Sequence, residues 1–336
     1  MFISIGVLRM TGNKWKAGVP GSLSLPALND IKTFIMKRSA KILLLAVLLA
    51  GVAFAAEVTK IEQARQEAET YAQRSLAYRS KPARKLTAGE QKAEDTIKQA
   101  EALNAEADCA KDEDEAILLY RQAVKTAPNY AKSWSGLGMA LWNRTNFMPR
   151  SSKEEKAELQ KVLSEAKQAC QKAIALDPKS VAGNYWLSNI IITEASLGNW
   201  LKGAVVLPSI FKLTDQVAAV DPYYENGAVF RTYAIVLATV PTWLSARFGY
   251  SPEIILPYLD KGIELAPNYF GNYTCRAGVY LKIGDSANKQ KALQDLEFVL
   301  THDPDKLTGY QADNRRQQKQ AAQTWKQITG KNFPAR

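Results

Sequence analysis

Along most of the chain, apolar residues recur every three or four positions with polar residues between them. Ala116, Tyr120 and Ala123 form one such stripe, Ala166, Cys170 and Ala173 another, and Ile255, Leu259 and Gly262 a third. This period predicts amphipathic helices, each with one face to bury. Residues 57–107 are rich in Glu, Lys, Gln and Ala, all strong helix formers, and Ile97, Ala100 and Leu103 share a face there. Lys81-Pro82 divides that stretch into two helices, and Thr87 with Glu90 forms a capping box at the start of the second. Alternating apolar–polar runs are missing. The dipeptide Asn226-Gly227 follows a helix-ending proline, so it signals no strand hairpin.

From residue 108 onward the pattern repeats. Five predicted helices end on related phrases: Thr126-Ala127-Pro128-Asn129-Tyr130, Leu176-Asp177-Pro178, Val220-Asp221-Pro222-Tyr223-Tyr224, Leu265-Ala266-Pro267-Asn268-Tyr269 and His302-Asp303-Pro304. Proline suits each place because it cannot continue the helix it follows and pre-sets the turn. The prolines stand 50, 44, 45 and 37 residues apart. A tetratricopeptide unit is about 34 residues long, so these are repeats with lengthened helices or connections. Behind Pro128, Trp134-x-x-Leu137-Gly138-x-x-Leu141 fits the first-helix pattern of that repeat. Asn184, Leu187, Ser188 and Ile191 follow Pro178 in the same register, and Tyr273, Ala277 and Tyr280 follow Pro267. Small residues let paired helices approach closely, while large ones fill the groove to the next pair. The expected fold is therefore all-α, a tetratricopeptide-like array of helical hairpins over 108–336 with a further helical hairpin over 56–107 covering its start.

The formal charge of +11 narrows once its distribution is seen. Residues 1–55 hold seven Lys/Arg and one acid, Asp30, which leaves the remainder at +5. That excess is too small and too scattered to mark a nucleic-acid surface. Met36-Lys37-Arg38-Ser39-Ala40-Lys41 is a basic segment, Ile42–Val52 an apolar one, and Ala53-Phe54-Ala55 a small-x-small cleavage pattern. The apolar run is shorter than the roughly 20 residues a spanning helix needs. Residues 36–55 therefore read as a signal peptide cleaved after Ala55, delivering the chain to the periplasm; an uncleaved anchor is the competing reading. Residues 1–35 show no periodicity and read as an over-extended start, with Met36 opening the chain.

Catalysis finds little to work with. His302 is the only histidine, which argues against His-based triads and multi-His metal sites. Cys109, Cys170 and Cys275 are far apart and form no Cys-x-x-Cys, so a zinc ribbon and a redox pair lack support; all three read as small buried hydrophobes. Neither a Gly-rich phosphate loop nor a Gly-x-Ser-x-Gly is present. The expectation is a non-enzymatic protein without cofactor or metal.

Between Trp186 and Tyr280 the phrases become more particular. Gly198-Asn199-Trp200 leads to Val205-Val206-Leu207-Pro208, then to Val220-Asp221-Pro222-Tyr223-Tyr224-Glu225-Asn226-Gly227-Ala228-Val229-Phe230-Arg231, then to Thr239-Val240-Pro241 and Ser251-Pro252-Glu253. This order resembles the T-component family of tripartite (TRAP) transporters, over roughly residues 110–325. The chain keeps one glycine where that family pairs two before the arginine, has Ala246–Tyr250 where a glycine pair follows the proline, and lacks the lipoprotein cysteine. The resemblance implies a periplasmic helper of a solute-binding protein, with a channel or groove through its repeat core taking an apolar or organic-acid ligand. A general tetratricopeptide adaptor for cell-envelope protein assembly is the alternative, and a self-assembling scaffold a third.

The candidate ligand or partner residues are Trp186, Trp200, Phe230, Arg231, Tyr233 and Trp243. Repeat arrays bind on the concave face made by their first helices, and aromatic rings there give contact area; the competing reading for each is core. Arg231 suits a carboxylate through its planar fork, or ties its turn to Asp221 or Glu225. Leu201–Pro208 and Tyr233–Leu244 are more apolar than one buried face requires, which fits a pocket wall, a homo-oligomer interface or deep burial between repeats. Asp313–Lys331 is basic and amphipathic, either a polar cap on the array or a membrane-surface helix.

Overall fold

The computed structural model describes residues 56–198, 200–239, 241 and 251–334. The chain divides into two units, Met1–Val58 and Thr59–Arg336, and every contact below lies within the second. The predicted signal segment and the extra start before it lie outside the described residues.

The described residues form twelve α-helices and no strand. The first, α1, covers 56–79. There follow α2 (Ala88–Glu106), α3 (Ala110–Thr126), α4 (Ala131–Arg144), α5 (Lys153–Leu176), α6 (Val181–Ser196), α7 (Trp200–Val220) and α8 (Tyr224–Thr239). The last four are α9 (Pro252–Leu265), α10 (Phe270–Ile283), α11 (Ser286–Thr301) and α12 (Gln311–Thr329). They pack as five consecutive hairpins, α2–α3, α4–α5, α6–α7, α8–α9 and α10–α11, with α12 as a terminal helix. The chain is thus an all-α array of tetratricopeptide-like hairpins. Among the described residues no helix is long and apolar enough to cross a membrane.

The predicted stripes are the hairpin seams. Ala116, Tyr120, Ala123, Ala166, Cys170, Ala173, Ile255 and Leu259 are all buried. Gly138 shows why the repeat demands small residues: a Cβ there would stand 2.3 Å from the Cys170 sulfur, so α4 and α5 could not approach as they do. The capping box at α2 is complete. Thr87 Oγ1 accepts from the Glu90 amide at 3.3 Å, and Glu90 Oε2 accepts from the Thr87 amide at 2.9 Å.

Four of the five proline phrases fold alike, placing an amide two residues after the proline onto the carbonyl before it: Tyr130 to Ala127, Ser180 to Asp177, Tyr224 to Asp221 and Tyr269 to Ala266, at 2.9–3.1 Å. The fifth, at Pro304, opens a short 3-10 turn over Pro304–Lys306. In three of the four the residue six places after the proline then closes on the proline carbonyl. Trp134 Nε1 donates to Pro128 O at 2.8 Å, Asn184 Nδ2 to Pro178 O at 3.5 Å and Tyr273 Oη to Pro267 O at 3.1 Å.

Helix α1 docks far along the chain. Arg79 donates to both carboxylate oxygens of Asp221 at 3.0 and 3.2 Å and to the Tyr223 carbonyl. Ser75 Oγ accepts from the Tyr223 amide at 2.8 Å, and Tyr258 Oη donates to Glu67 at 2.7 Å. The two helices predicted in 56–107 are both present, but the first fastens to α7–α9, a partnership between residues more than 140 positions apart.

Two sequence expectations change. Cys170 is buried as predicted, whereas Cys109 is exposed at the start of α3 and Cys275 is half-buried; a cap position faces solvent, so its residue does not follow the stripe. At the C-terminus α12 buries Ala312, Asn314 and Ala321 and contacts both α10 and α2. It joins the two ends of the array, a role beyond that of a polar cap.

Candidate binding cavity

The first helix of every hairpin, together with α12, faces inward on one cavity of about 640 Å³. Closure comes from α12. Arg315 pairs with Glu106 at 3.0 Å, with Asp108, and with Asp305 at 2.8 Å, while Arg316 Nη1 donates to the Ala107 carbonyl at 3.4 Å. Small-molecule sites commonly occupy about 300–1,000 Å³, so the volume suits a small ligand or a short side-chain-bearing segment.

The wall combines rings, amides and charges. Trp142 lies 5.4 Å from Trp186, Trp186 4.7 Å from Tyr185 and Tyr185 5.5 Å from Tyr224, between ring centres, which makes one aromatic run across α4, α6 and α8. Tyr269 and Tyr310 form a second pair at 5.3 Å. Asn143, Asn189, Gln317 and Gln320 supply amides between them.

The irregular part of the wall is the start of α8. Glu225 (φ 47°, ψ 49°), Asn226 (φ 58°, ψ 37°) and Gly227 (φ 94°, ψ 28°) are all left-handed, so regular helix begins only after them. Left-handed backbone is uncommon for residues other than glycine and concentrates at functional sites. Arg231 holds this turn. Its Nη2 donates to the Glu225 carbonyl at 2.7 Å, and its Nη1 donates to the Asn226 carbonyl at 2.8 Å and to Asn272 Oδ1 at 2.9 Å. Its guanidinium also lies 4.5 Å from the centre of the Tyr269 ring. The Glu225 carboxylate lines the cavity and accepts a hydrogen bond from Tyr310 Oη at 2.6 Å. Burial holds that carboxyl above the usual range, against the lowering effects of the Tyr310 hydroxyl and of Arg231.

Of the six residues singled out in the sequence, the structure brings Trp186 and Arg231 together on the cavity wall. Phe230 and Tyr233 face elsewhere. Phe230 stacks on Tyr258 at 4.6 Å beneath α1, and Tyr233 bonds Asp215 through its hydroxyl and packs on Phe211. Both belong to the core. The Trp200 side chain and all of Trp243 lie outside the described residues. Arg231 ties its turn, but through the main-chain carbonyls of Glu225 and Asn226; the Asp221 carboxylate is taken by Arg79. Glu225 itself, Tyr310 and Asp313 were not singled out. No local signal marks Glu225, because glycine or asparagine also stands four or five places after Pro178 and Pro267, at Gly183 and at Gly271-Asn272. Among the described residues no group of three or more His, Cys, Asp or Glu is placed to hold a metal ion.

No family model matches the sequence, and no curated protein does. Among solved structures, the chain is similar to a thermophilic tetratricopeptide protein of Thermus thermophilus, TTC0263, with 16% identity and a TM-score of 0.47 over 68% of this chain and 98% of that one. It is also similar to YrrB, a tetratricopeptide protein with an unusual peptide-binding site, at 15% identity and a TM-score of 0.34 over 68% and 98%. Likenesses this loose bear on neither the site nor its ligand.

Proposed function

We propose that this chain is a non-enzymatic tetratricopeptide adaptor that assembles proteins of the cell envelope. The observation carrying this reading is the convergence of every inner helix on one cavity walled by aromatic, amide and charged side chains. Such a wall offers complementary contacts to a bound group. Arg231, whose planar fork suits a carboxylate, is engaged by three oxygens and a ring. Export after cleavage at Ala55 belongs to the same reading; N-terminal sequencing of the protein from its own cells would place its mature start.

A second reading follows the resemblance to TRAP T-components, with a solute-binding protein as partner. The contact of α12 with α2 favours it, because a cavity that α12 helps to bound suits a small solute better than a docked helix. One experiment separates the two. Protein tagged at its C-terminus and isolated gently from its own cells is analysed for companions by mass spectrometry. Envelope-assembly proteins are expected for the adaptor, a solute-binding protein for the transporter helper, and recovery of the chain alone would sink both.

A further inference from the structure

We infer that the cavity takes a primary ammonium group on an alkyl stem, held by the Glu225 carboxylate. The inference rests on the binding reading above and names the chemistry of its occupant. Three cations stand on the wall, and each is engaged. Lys132 pairs with Glu94 at 2.6 Å and with Glu101 at 3.3 Å. Arg231 is held by two main-chain carbonyls and Asn272. Arg316 bonds the Ala107 carbonyl and pairs with Asp313 at 3.5 Å. An organic acid would have to break one of these arrangements to find a counter-charge.

The anionic side is different. Glu101 has Lys132, and Asp313 has Arg316 and the Tyr269 hydroxyl at 2.6 Å. Among the described ion pairs none involves Glu225: Arg231 acts on its carboxylate without pairing with it, and tyrosine hydroxyls meet it, that of Tyr310 at 2.6 Å and that of Tyr224. A carboxylate accepts about four hydrogen bonds, so a donor cation fits the remaining positions. Tyr185, Trp186 and Tyr224 adjoin it along the wall, and aromatic faces attract cations. The left-handed turn locked by Arg231 makes Glu225 part of the wall, and Arg231 is accordingly a positioning residue.

Two sources carry this chemistry, a free alkyl diamine and the lysine side chain of a peptide. Titration calorimetry of the mature chain with 1,5-diaminopentane and with acetyl-Gly-Lys-Gly-amide distinguishes them, hexanoate and 1-hexanol serving as anionic and neutral counterparts. At least one amine is expected to bind, with affinity falling as salt is added. Glu225→Gln is expected to weaken it at least about tenfold, as removal of a charged hydrogen-bond partner does. Ile235→Trp, which fills the wall and leaves Glu225 in place, is expected to abolish it. That variant and the salt dependence keep the test open if Glu225→Gln misfolds. Equal amine binding by wild type and Glu225→Gln, preferential binding of hexanoate, or binding of none of the four probes would overturn the inference. Those failures leave the recovery of protein companions untouched, and a failed recovery leaves amine binding untouched, so the two readings fall separately.

Discussion

The junctions at Pro267 and Pro222 begin identically and end differently. At both, the amide two residues on returns to the carbonyl before the proline, Tyr269 to Ala266 and Tyr224 to Asp221, each at 3.1 Å. After Pro267 the helix opens at once, with Phe270, and the Tyr273 hydroxyl closes on the proline carbonyl. After Pro222 the corresponding sixth residue is Ala228, which has no donor to offer. The chain instead passes through three left-handed residues, and Arg231 gathers the carbonyls of two of them from one turn further on. The flanking acids differ as well. Asp177 is exposed and accepts from the Lys179 amide in its own turn, whereas Asp221 is buried and taken by α1 through Arg79. At the four junctions that share this turn, the one whose sixth residue has no side-chain donor is the one where the repeat does not continue regularly. Where it does not, the departure puts a carboxylate into the cavity wall.

Removing Arg231 should break this comparison most severely. In Arg231→Leu the carbonyls of Glu225 and Asn226 lose their donor in a closed interior, with an expected loss of about 4 kcal/mol by urea unfolding. Arg231→Lys should recover only part of it, because a point charge cannot reproduce the planar fork. A loss below about 1 kcal/mol would mean that the left-handed turn stands without its clamp.

A regular part of the array supplies the next case. Glu113, at the start of α3, is fully buried with neither carboxylate oxygen hydrogen-bonded. Burial raises its carboxyl from 4.5 to about 7, with Arg316 and Arg144 opposing and Asp112 and Asp114 reinforcing the rise. The folded state therefore binds more protons than the unfolded one between those values. Stability is greatest at the acid end of that window and declines as pH rises through it. Glu113→Gln should match wild type near pH ~4.5 and exceed it by up to about 3 kcal/mol at pH ~8. Parallel stability curves for the two proteins would show that this carboxyl titrates normally.

The regular features of the fold were readable because they are local. Apolar residues at three-and-four spacing, a proline phrase and a Thr-x-x-Glu box each specify structure within a few residues, and the helices stand where those patterns place them. Docking of α1 on α7–α9 joins Arg79 to Asp221, and no periodicity encodes a contact across that separation. The candidate site was half readable for the same reason. Trp186 and Arg231 carried recognisable side chains in a recognisable phrase. Glu225 is an ordinary glutamate until its backbone turns left-handed, and Phe230 and Tyr233 face α1 and α7 because of long-range packing. Residue type alone did not separate ring positions on the cavity from ring positions in the core.

The α1 clamp gives a smaller effect. Arg79→Ala strips the buried Asp221 of its partner, and because Arg79 is itself half exposed, water can partly replace it. An expected loss of about 2 kcal/mol contrasts with about 0.5 kcal/mol or less for Asp177→Ala at the regular junction. Equal losses would show that α1 is not specific to the irregular turn.

The smallest expected effect has the sharpest sign. Asn226 is left-handed and buries an amide nitrogen with no partner. Glycine tolerates that backbone freely but loosens the unfolded chain. At Asn226 the relief of backbone strain and of the unpaired amide outweighs that loss, so Asn226→Gly should stabilise by about 0.5 kcal/mol. Asn268, one place after Pro267, is not among the residues with positive φ. Glycine there brings only the entropic penalty, and Asn268→Gly should destabilise by a similar amount, about 0.5 kcal/mol. Thermal unfolding of the two variants side by side reads the difference directly. Midpoints shifting in opposite directions would show that one amino-acid type meets opposite backbone demands at two junctions opened by the same phrase, and shifts of the same sign would remove backbone strain from the account of Glu225.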